Sequence, residues 1–283
     1  MKKALSVIIS MLLLTALLVS CTPGGNGGNT NKFTLQYASL GNAFAFSNES
    51  GTKLIVFTQI SDPNSLSGLN AAIGANGQYL PVAYDKKQNS NSSDTGNYNA
   101  YNFNNIEGYL FNVTSGTAKS NTTYLIVKDT LVPQSSLLAN IQNGPVVMTH
   151  EQKVDMGNSK GRTANQGWIL ASFADGRQLI LAGFEPQGKN YLMSIAIKGK
   201  DGKYKFMDYP ATSSDPSSVW RVDDQGVLDP TLFAVLLCAD TEKGFTTILN
   251  WKGAEGEVTL LLLDDSISFK DQNIGVSRYW GAY

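Results

Sequence analysis

The stretch GWILASFADGRQLILAGFEPQGKNYLMSIAIKGKDGKYKFMD, residues 167–208, decides the fold. It divides into apolar runs at 167–174, 177–185, 191–198 and 203–208. The breaks between them are Asp175-Gly176, residues 186–190 and residues 199–202. Asp-Gly signals a two-residue hairpin turn, because both residues tolerate positive φ. Short apolar runs between turn residues read as strands of an antiparallel meander. Working outward toward the C-terminus, a second meander follows in 231–239, 245–251 and 257–263, with turns at 241–244 and 253–256. Tyr279 and Trp280 end a last strand. Residues 168–173, 179–184, 232–238 and 259–263 are apolar on both alternating faces. Such strands belong in a layer covered on both sides, either a sheet between two layers or a barrel wall with something packed outside it.

Toward the N-terminus the pattern is less regular. Strand candidates fall at 33–38, 43–47, 53–60, 78–84, 108–113 and 122–128. Two short helices are expected. Asp62-Pro63 opens the first, with Leu66, Leu69 and Ile73 at helical spacing and Gly74 at its end. Pro133 opens the second, with Leu137, Leu138 and Ile141, ending near Gly144. The reading is an all-β, mostly antiparallel fold, a sandwich or closed meander barrel with one or two short helices. Residues 33–283 form it, as one unit or as two subdomains, 33–130 and 145–283.

The first 20 residues read as an export signal. Lys2 and Lys3 give a basic start, and residues 4–18 are apolar apart from Ser6, Ser10 and Thr15. Leu18-Val19-Ser20-Cys21 follows and resembles the bacterial lipobox. The resemblance covers about 21 residues and implies that Cys21 becomes the acylated first residue of the mature chain. It thereby implies a membrane anchor, because several buried acyl chains hold a protein at a bilayer. Thr22 replaces the aspartate that would resemble an inner-membrane retention signal. The implied location is the cell envelope, at the outer membrane facing the periplasm or else the cell surface. Residues 21–32, rich in Gly and Asn, read as a flexible tether.

Loss of Lys2 and Lys3 with the leader takes the net charge from −1 to −3. That excludes the basic surface of a generic nucleic-acid binder. A single histidine, His150, excludes a zinc site built on several histidines. Placed on a strand, His150 would share a face with Val146, Met148, Gln152 and Val154. It reads there as a hydrogen-bonded or surface residue rather than a general base. Cys238 follows six apolar or small residues and reads as inert. No disulfide, metal site or cofactor is expected.

The most unusual stretch is 89–105, with seven asparagines in 17 residues and Tyr98, Tyr101 and Phe103 among them. Amides that donate and accept, interleaved with flat apolar rings, suit a sugar or a protein partner. Tyr98, Tyr101, Phe103 and, further along, Trp220 are the candidate binding residues. The acidic pairs Asp223-Asp224 and Asp264-Asp265 sit at strand ends, where solvated loop acids are the norm. The expectation is a non-enzymatic envelope module that binds a glycan, an envelope polymer or a protein. The alternatives are an envelope glycoside hydrolase with two catalytic carboxylates meeting in space, and a structural subunit of a surface assembly.

Overall fold

The computed structural model describes residues 32, 34–35, 44–58, 60, 63–215, 217–222 and 224–281. The leader, Cys21, nearly all of the tether, most of the 33–38 strand candidate, Asp62 and Asp223 lie outside the described residues. Six strands close a barrel: β1 (Phe44–Ser47), β2 (Lys53–Val56), β3 (Ala71–Gly74), β4 (Gln78–Gln88), β5 (Gly108–Val113) and β6 (Thr123–Val127). Their order is β1-β2-β5-β4-β3-β6, and every neighbouring pair is antiparallel. Two sheets follow. The first holds β7 (Val146–Val147), β8 (Ala164–Ser172), β9 (Gln178–Gln187), β10 (Asn190–Lys198) and β11 (Tyr204–Thr212) in the order β11-β10-β9-β8-β7. The second holds β12 (Phe233–Thr241), β13 (Gly244–Lys252), β14 (Gly256–Asp264) and β15 (Phe269–Asp271) in sequence order. β16 (Ser277–Tyr279) also pairs with β14. Among the described residues there is one α-helix, α1 (His150–Lys160).

The two-sided apolar strands explain how these parts stack. On β14, Leu260 and Leu262 pack with Leu179, Leu181, Met193, Ile195 and Ile197 of the first sheet. Their neighbours Leu261 and Leu263 point the other way, onto Phe44, Ala71, Ile73, Leu125 and Val127 of the barrel. The second sheet is therefore the middle layer, with a barrel on one face and a sheet on the other. The first sheet is likewise covered on its far side. Ile169, Ile180, Ala182 and Phe184 meet Met148 and Met156, the latter on α1. The barrel interior is filled by Ala45, Leu54, Val56, Ala72, Phe111, Tyr124 and Ile126. A barrel of six strands leaves a lumen that side chains fill. Gly74 is required there, because a Cβ at that position would lie 2.3 Å from the Tyr124 ring. Residues 44–127 build the barrel and 146–279 build the sheets, but the core between them is shared, and residues Asn31–Tyr283 group as one compact unit.

Several local expectations change. The hairpin at Asp175-Gly176 is present, but its closing backbone bond runs from Phe173 N to Arg177 O. Three residues therefore make the loop, with Gly176 at φ +89° as its left-handed member. The helix expected from Asp62-Pro63 shrinks to the 3-10 turn Pro63–Gly68, and Ile73 and Gly74 belong to β3. Leu66 enters the barrel core from that turn and Leu69 packs at the margin of the same cluster, so the helical spacing of Leu66, Leu69 and Ile73 is a coincidence of a turn followed by a strand. The helix expected from Pro133 is the single turn Gln134–Ser136; Leu137 bridges Ala239 and the Leu138 N–H donates to the Cys238 carbonyl, so that segment lies along the edge of β12. Conversely, the segment around His150 is helical. Thr149 accepts from the Gln152 N–H, and the Gln152 side chain accepts from the Thr149 N–H, a capping box that strand alternation hid.

Candidate functional site

The loop between β4 and β5 carries the Asn and aromatic residues. Its asparagines fold the loop upon itself. Asn102 Nδ2 donates to Asp94 Oδ1 (2.8 Å) and to the Asn97 carbonyl (2.8 Å), while its Oδ1 accepts from the Thr95 N–H and from Asn105 Nδ2. Asn99 Oδ1 accepts from the N–H groups of Tyr101 and Asn102, and Asn91 Oδ1 from that of Ser93. These are side-chain turns, which short amides form readily. The amides thus hold loop geometry first.

The loop is also anchored to the barrel's outer wall. Phe103, 1% exposed, and Ile106 pack against Phe46, Ile55 and Leu110. Phe103 meets Phe46 edge-on at 5.7 Å. Phe103 is therefore a core residue beneath the loop, and its ring presents no face to a ligand. Tyr101 is the opposite case, 77% exposed at the loop surface. Tyr98 lies between them, half-buried, with its ring 4.9 Å from that of Phe57. Trp220 is elsewhere, on the β11–β12 connection, where its indole N–H donates to the Tyr209 carbonyl at 2.9 Å and its ring meets Tyr191 edge-on at 6.2 Å. The structure thus separates Trp220 from the loop and leaves Tyr98 and Tyr101 as the accessible rings.

From the other side the loop is clamped by the C-terminal strand. The Tyr98 N–H donates to the Tyr279 carbonyl, and Asn99 Nδ2 to the Trp280 carbonyl. Arg278 is the centre of this clamp. Its guanidinium donates from Nε and Nη2 to Glu257 Oε1 at 3.1 and 2.8 Å, and from Nη1 to Asn121 Oδ1 at 2.8 Å. It lies between the rings of Phe46 and Trp280, at 4.9 and 5.1 Å. Thr123 also donates its hydroxyl to Glu257 Oε1.

Beside the clamped loop opens a cleft of about 450 Å³. Phe57 and Tyr98 line it with half-buried rings, Tyr109 borders it from the barrel core, and Lys87, Asp94 and Glu107 give it charge. Lys87 and Glu107 pair at 2.7 Å. The Lys87 ammonium is held above its ordinary pKa by its hydrogen bond to Glu107 and by that carboxylate's charge. Asp94 Oδ1 is held by Asn102 and by the Gly96 N–H. Both carboxylates in the cleft therefore already accept hydrogen bonds from the protein, an arrangement suited to fixing a polar wall. The only hint of this cleft in the sequence was the loop itself. Phe57, Lys87, Glu107 and Tyr109 come from three separate barrel segments, and only the β2-β5-β4 pairing brings them together.

The other candidates have structural roles. His150 is exposed at the first turn of α1, and Cys238 is buried between the sheets with its thiol donating to the Thr247 hydroxyl at 3.1 Å, so the two do not meet. Burial pushes that thiol up to about 12. Asp224 accepts four backbone N–H groups, from Val219, Trp220, Arg221 and Gly226. Burial would raise its carboxyl, but those four bonds outweigh it and hold it below the ordinary range. Asp264 pairs with Lys205 at 2.6 Å, and Asp265 organises the turn to Ser268. Among the described residues no three His, Cys, Asp or Glu side chains cluster as a metal site. No family model, curated protein or solved structure matches this chain.

Proposed function

We propose that the protein is an envelope lipoprotein, acylated at Cys21, that binds a glycan in the cleft between the 89–105 loop and the barrel. One observation carries the reading. The half-buried rings of Tyr98 and Phe57 line a single cleft with the paired Lys87 and Glu107 and with Asp94. Sugars present apolar C–H faces that stack on rings and hydroxyls that both donate and accept, so this mixture is complementary to them. The loop supports the reading because it is held before any ligand arrives. Its internal amide bonds and the Arg278 clamp reduce the ordering entropy that binding would otherwise cost.

The test is calorimetric titration of the purified protein against neutral and acidic oligosaccharides from cell-envelope polymers. A saturable ligand should appear, and Tyr98→Ala should weaken it about tenfold while leaving the fold intact, the loss of one ring face being worth roughly 1 kcal/mol or more. Phe103 is unsuitable for this purpose because its removal would open the core. A panel without binders, or Tyr98→Ala binding like the parent, overturns the cleft reading. Acylation is checked separately: labelled fatty acid should enter the protein in its native host and be lost in Cys21→Ala.

A further inference from the structure

The cleft beside the 89–105 loop holds three charged side chains, Lys87, Asp94 and Glu107, and so has one negative charge in excess. Lys87, on β4, and Glu107, just before β5, close on each other at 2.7 Å. A sugar carboxylate approaching that ammonium would also meet the Glu107 carboxylate, and like charges repel. Asp94 has no such partner. Among the described residues no lysine or arginine forms an ion pair with it. Its Oδ1 accepts from Asn102 Nδ2 and from the Gly96 N–H, both at 2.8 Å, and nothing among the described residues donates to its Oδ2. Asp94 is exposed and lines the cleft, within reach of whatever enters it.

The turn explains Oδ1 alone. Asp94 is the single acid among residues 89–105, where seven positions are asparagine. An asparagine at 94 would accept the same two bonds through its own Oδ1. What aspartate adds at this position is the charge. Neither donor neutralises that charge, since one is a side-chain amide and the other a backbone N–H. Asn102 is 3% exposed and also donates to the Asn97 carbonyl, so the carboxylate is held by a group that is itself locked. Tyr98 lies four residues along the same loop, and its backbone N–H is tied to the Tyr279 carbonyl. A ring and a charged oxygen therefore stand together on one clamped loop before any ligand arrives.

We propose that the glycan taken by this cleft is an amino sugar with its amine free, the sugar ring against Tyr98 and the ammonium donating to Asp94 Oδ2. The proposal rests on the glycan reading above and names the class of sugar. An ammonium adds its full charge to the hydrogen bond that a hydroxyl or an acetylated amine would give the same oxygen. Acidic sugars are turned away by Glu107 and Asp94 together.

The test titrates the purified protein at about pH 6, where an amine is protonated and an aspartate ionised. The probes are trimers of glucosamine, of N-acetylglucosamine and of galacturonic acid. The glucosamine trimer should bind about fivefold more tightly than its acetylated form, and the uronic trimer most weakly. Asp94→Asn, which keeps the turn bonds, should bring the first two within about twofold of each other and leave the acetylated form unchanged. Asp201→Asn removes an exposed acid outside the cleft and should leave the preference in place. Equal binding of the first two trimers by the parent protein overturns the proposal, as does tightest binding of the uronic trimer. Loss of the preference in Asp201→Asn also overturns it, since net charge alone would then draw the amine in. In each of those cases a trimer still binds, and the glycan reading stands when Tyr98→Ala weakens it. If no trimer binds, both readings fall.

Discussion

Replacing Arg278 by Met tests whether the buried Arg278–Glu257 pair holds the C-terminal strand and the 89–105 loop onto the barrel. Both side chains are sealed from solvent, at 0% and 1% exposure. In the variant, the hydrogen bond from Thr123 is the one that Glu257 keeps among those of the described residues, with the Arg221 charge acting on it without an ion pair. Removing one partner of a buried ion pair costs about 3–5 kcal/mol, because it strands the other charge. For a domain of this size each kcal/mol lowers Tm by roughly 2–4 °C, so the expected drop is roughly 6–20 °C. The companion variant, Arg278→Met with Glu257→Leu, removes the stranded charge. It should regain part of that loss, since a buried pair replaced by apolar groups is often close to neutral. It should not regain all of it, because the Arg278 bonds to Asn121 and to the Tyr98 carbonyl are lost in both. Chemical denaturation gives the energies, and amide exchange across 97–105 should quicken in both variants. A single variant that loses less than about 1 kcal/mol, or a double variant no more stable than the single, refutes the argument.

Three further outcomes follow from the structure. Burial would raise the Asp175 carboxyl, but hydrogen bonds from Arg177 and Lys200 outweigh it and hold the group at about 2. A folded value below the ordinary ~3.9 means its stabilisation is complete above that value and is lost as pH falls through about 2, so Asp175→Asn should flatten the Tm profile between them; parallel profiles would contradict this. Cys238, with its thiol raised to about 12 by burial, should resist iodoacetamide in the native protein and react once denatured; native-state labelling would show the core between the sheets to be open. Thr149→Ala should cost about 1 kcal/mol through loss of the capping box, and calorimetry showing no loss would mean that α1 is held by Met156 packing alone.

How much of this was legible in the sequence depends on how local each cause is. The run at 259–263 announced a layer covered on both faces, and Leu260–Leu263 are indeed divided between two cores. The turn residues placed most of the long strands. What failed was short or weakly amphipathic. β3 has four residues, too few to show a period against the turn before it. On α1 only Met156 and Gly157 are buried, so there was little apolar spacing to detect. Its helix signals lay at the ends instead, in Thr149 with Gln152 and in Gly161 at φ +72°. The loop was recognisable from its composition, yet nothing local distinguished Phe103, which enters the core, from Tyr101, which faces outward. The walls of the cleft and the pairing of Arg278 with Glu257 depend on strands distant in sequence, and no local pattern encodes them.

The central position of the β12–β15 sheet has a consequence for the order in which the chain is made. The barrel strands and the β7–β11 sheet precede it in sequence, yet each leaves a large apolar face that only the later strands cover. During synthesis the outer layers emerge first and remain half-covered until residues 233–271 arrive between them. Completion of the fold is thus an insertion from the C-terminal side, and a chain stopped before Phe233 would present two sticky surfaces instead of a smaller stable protein. Incomplete chains of this kind are the ones prone to aggregate or to require a holding chaperone.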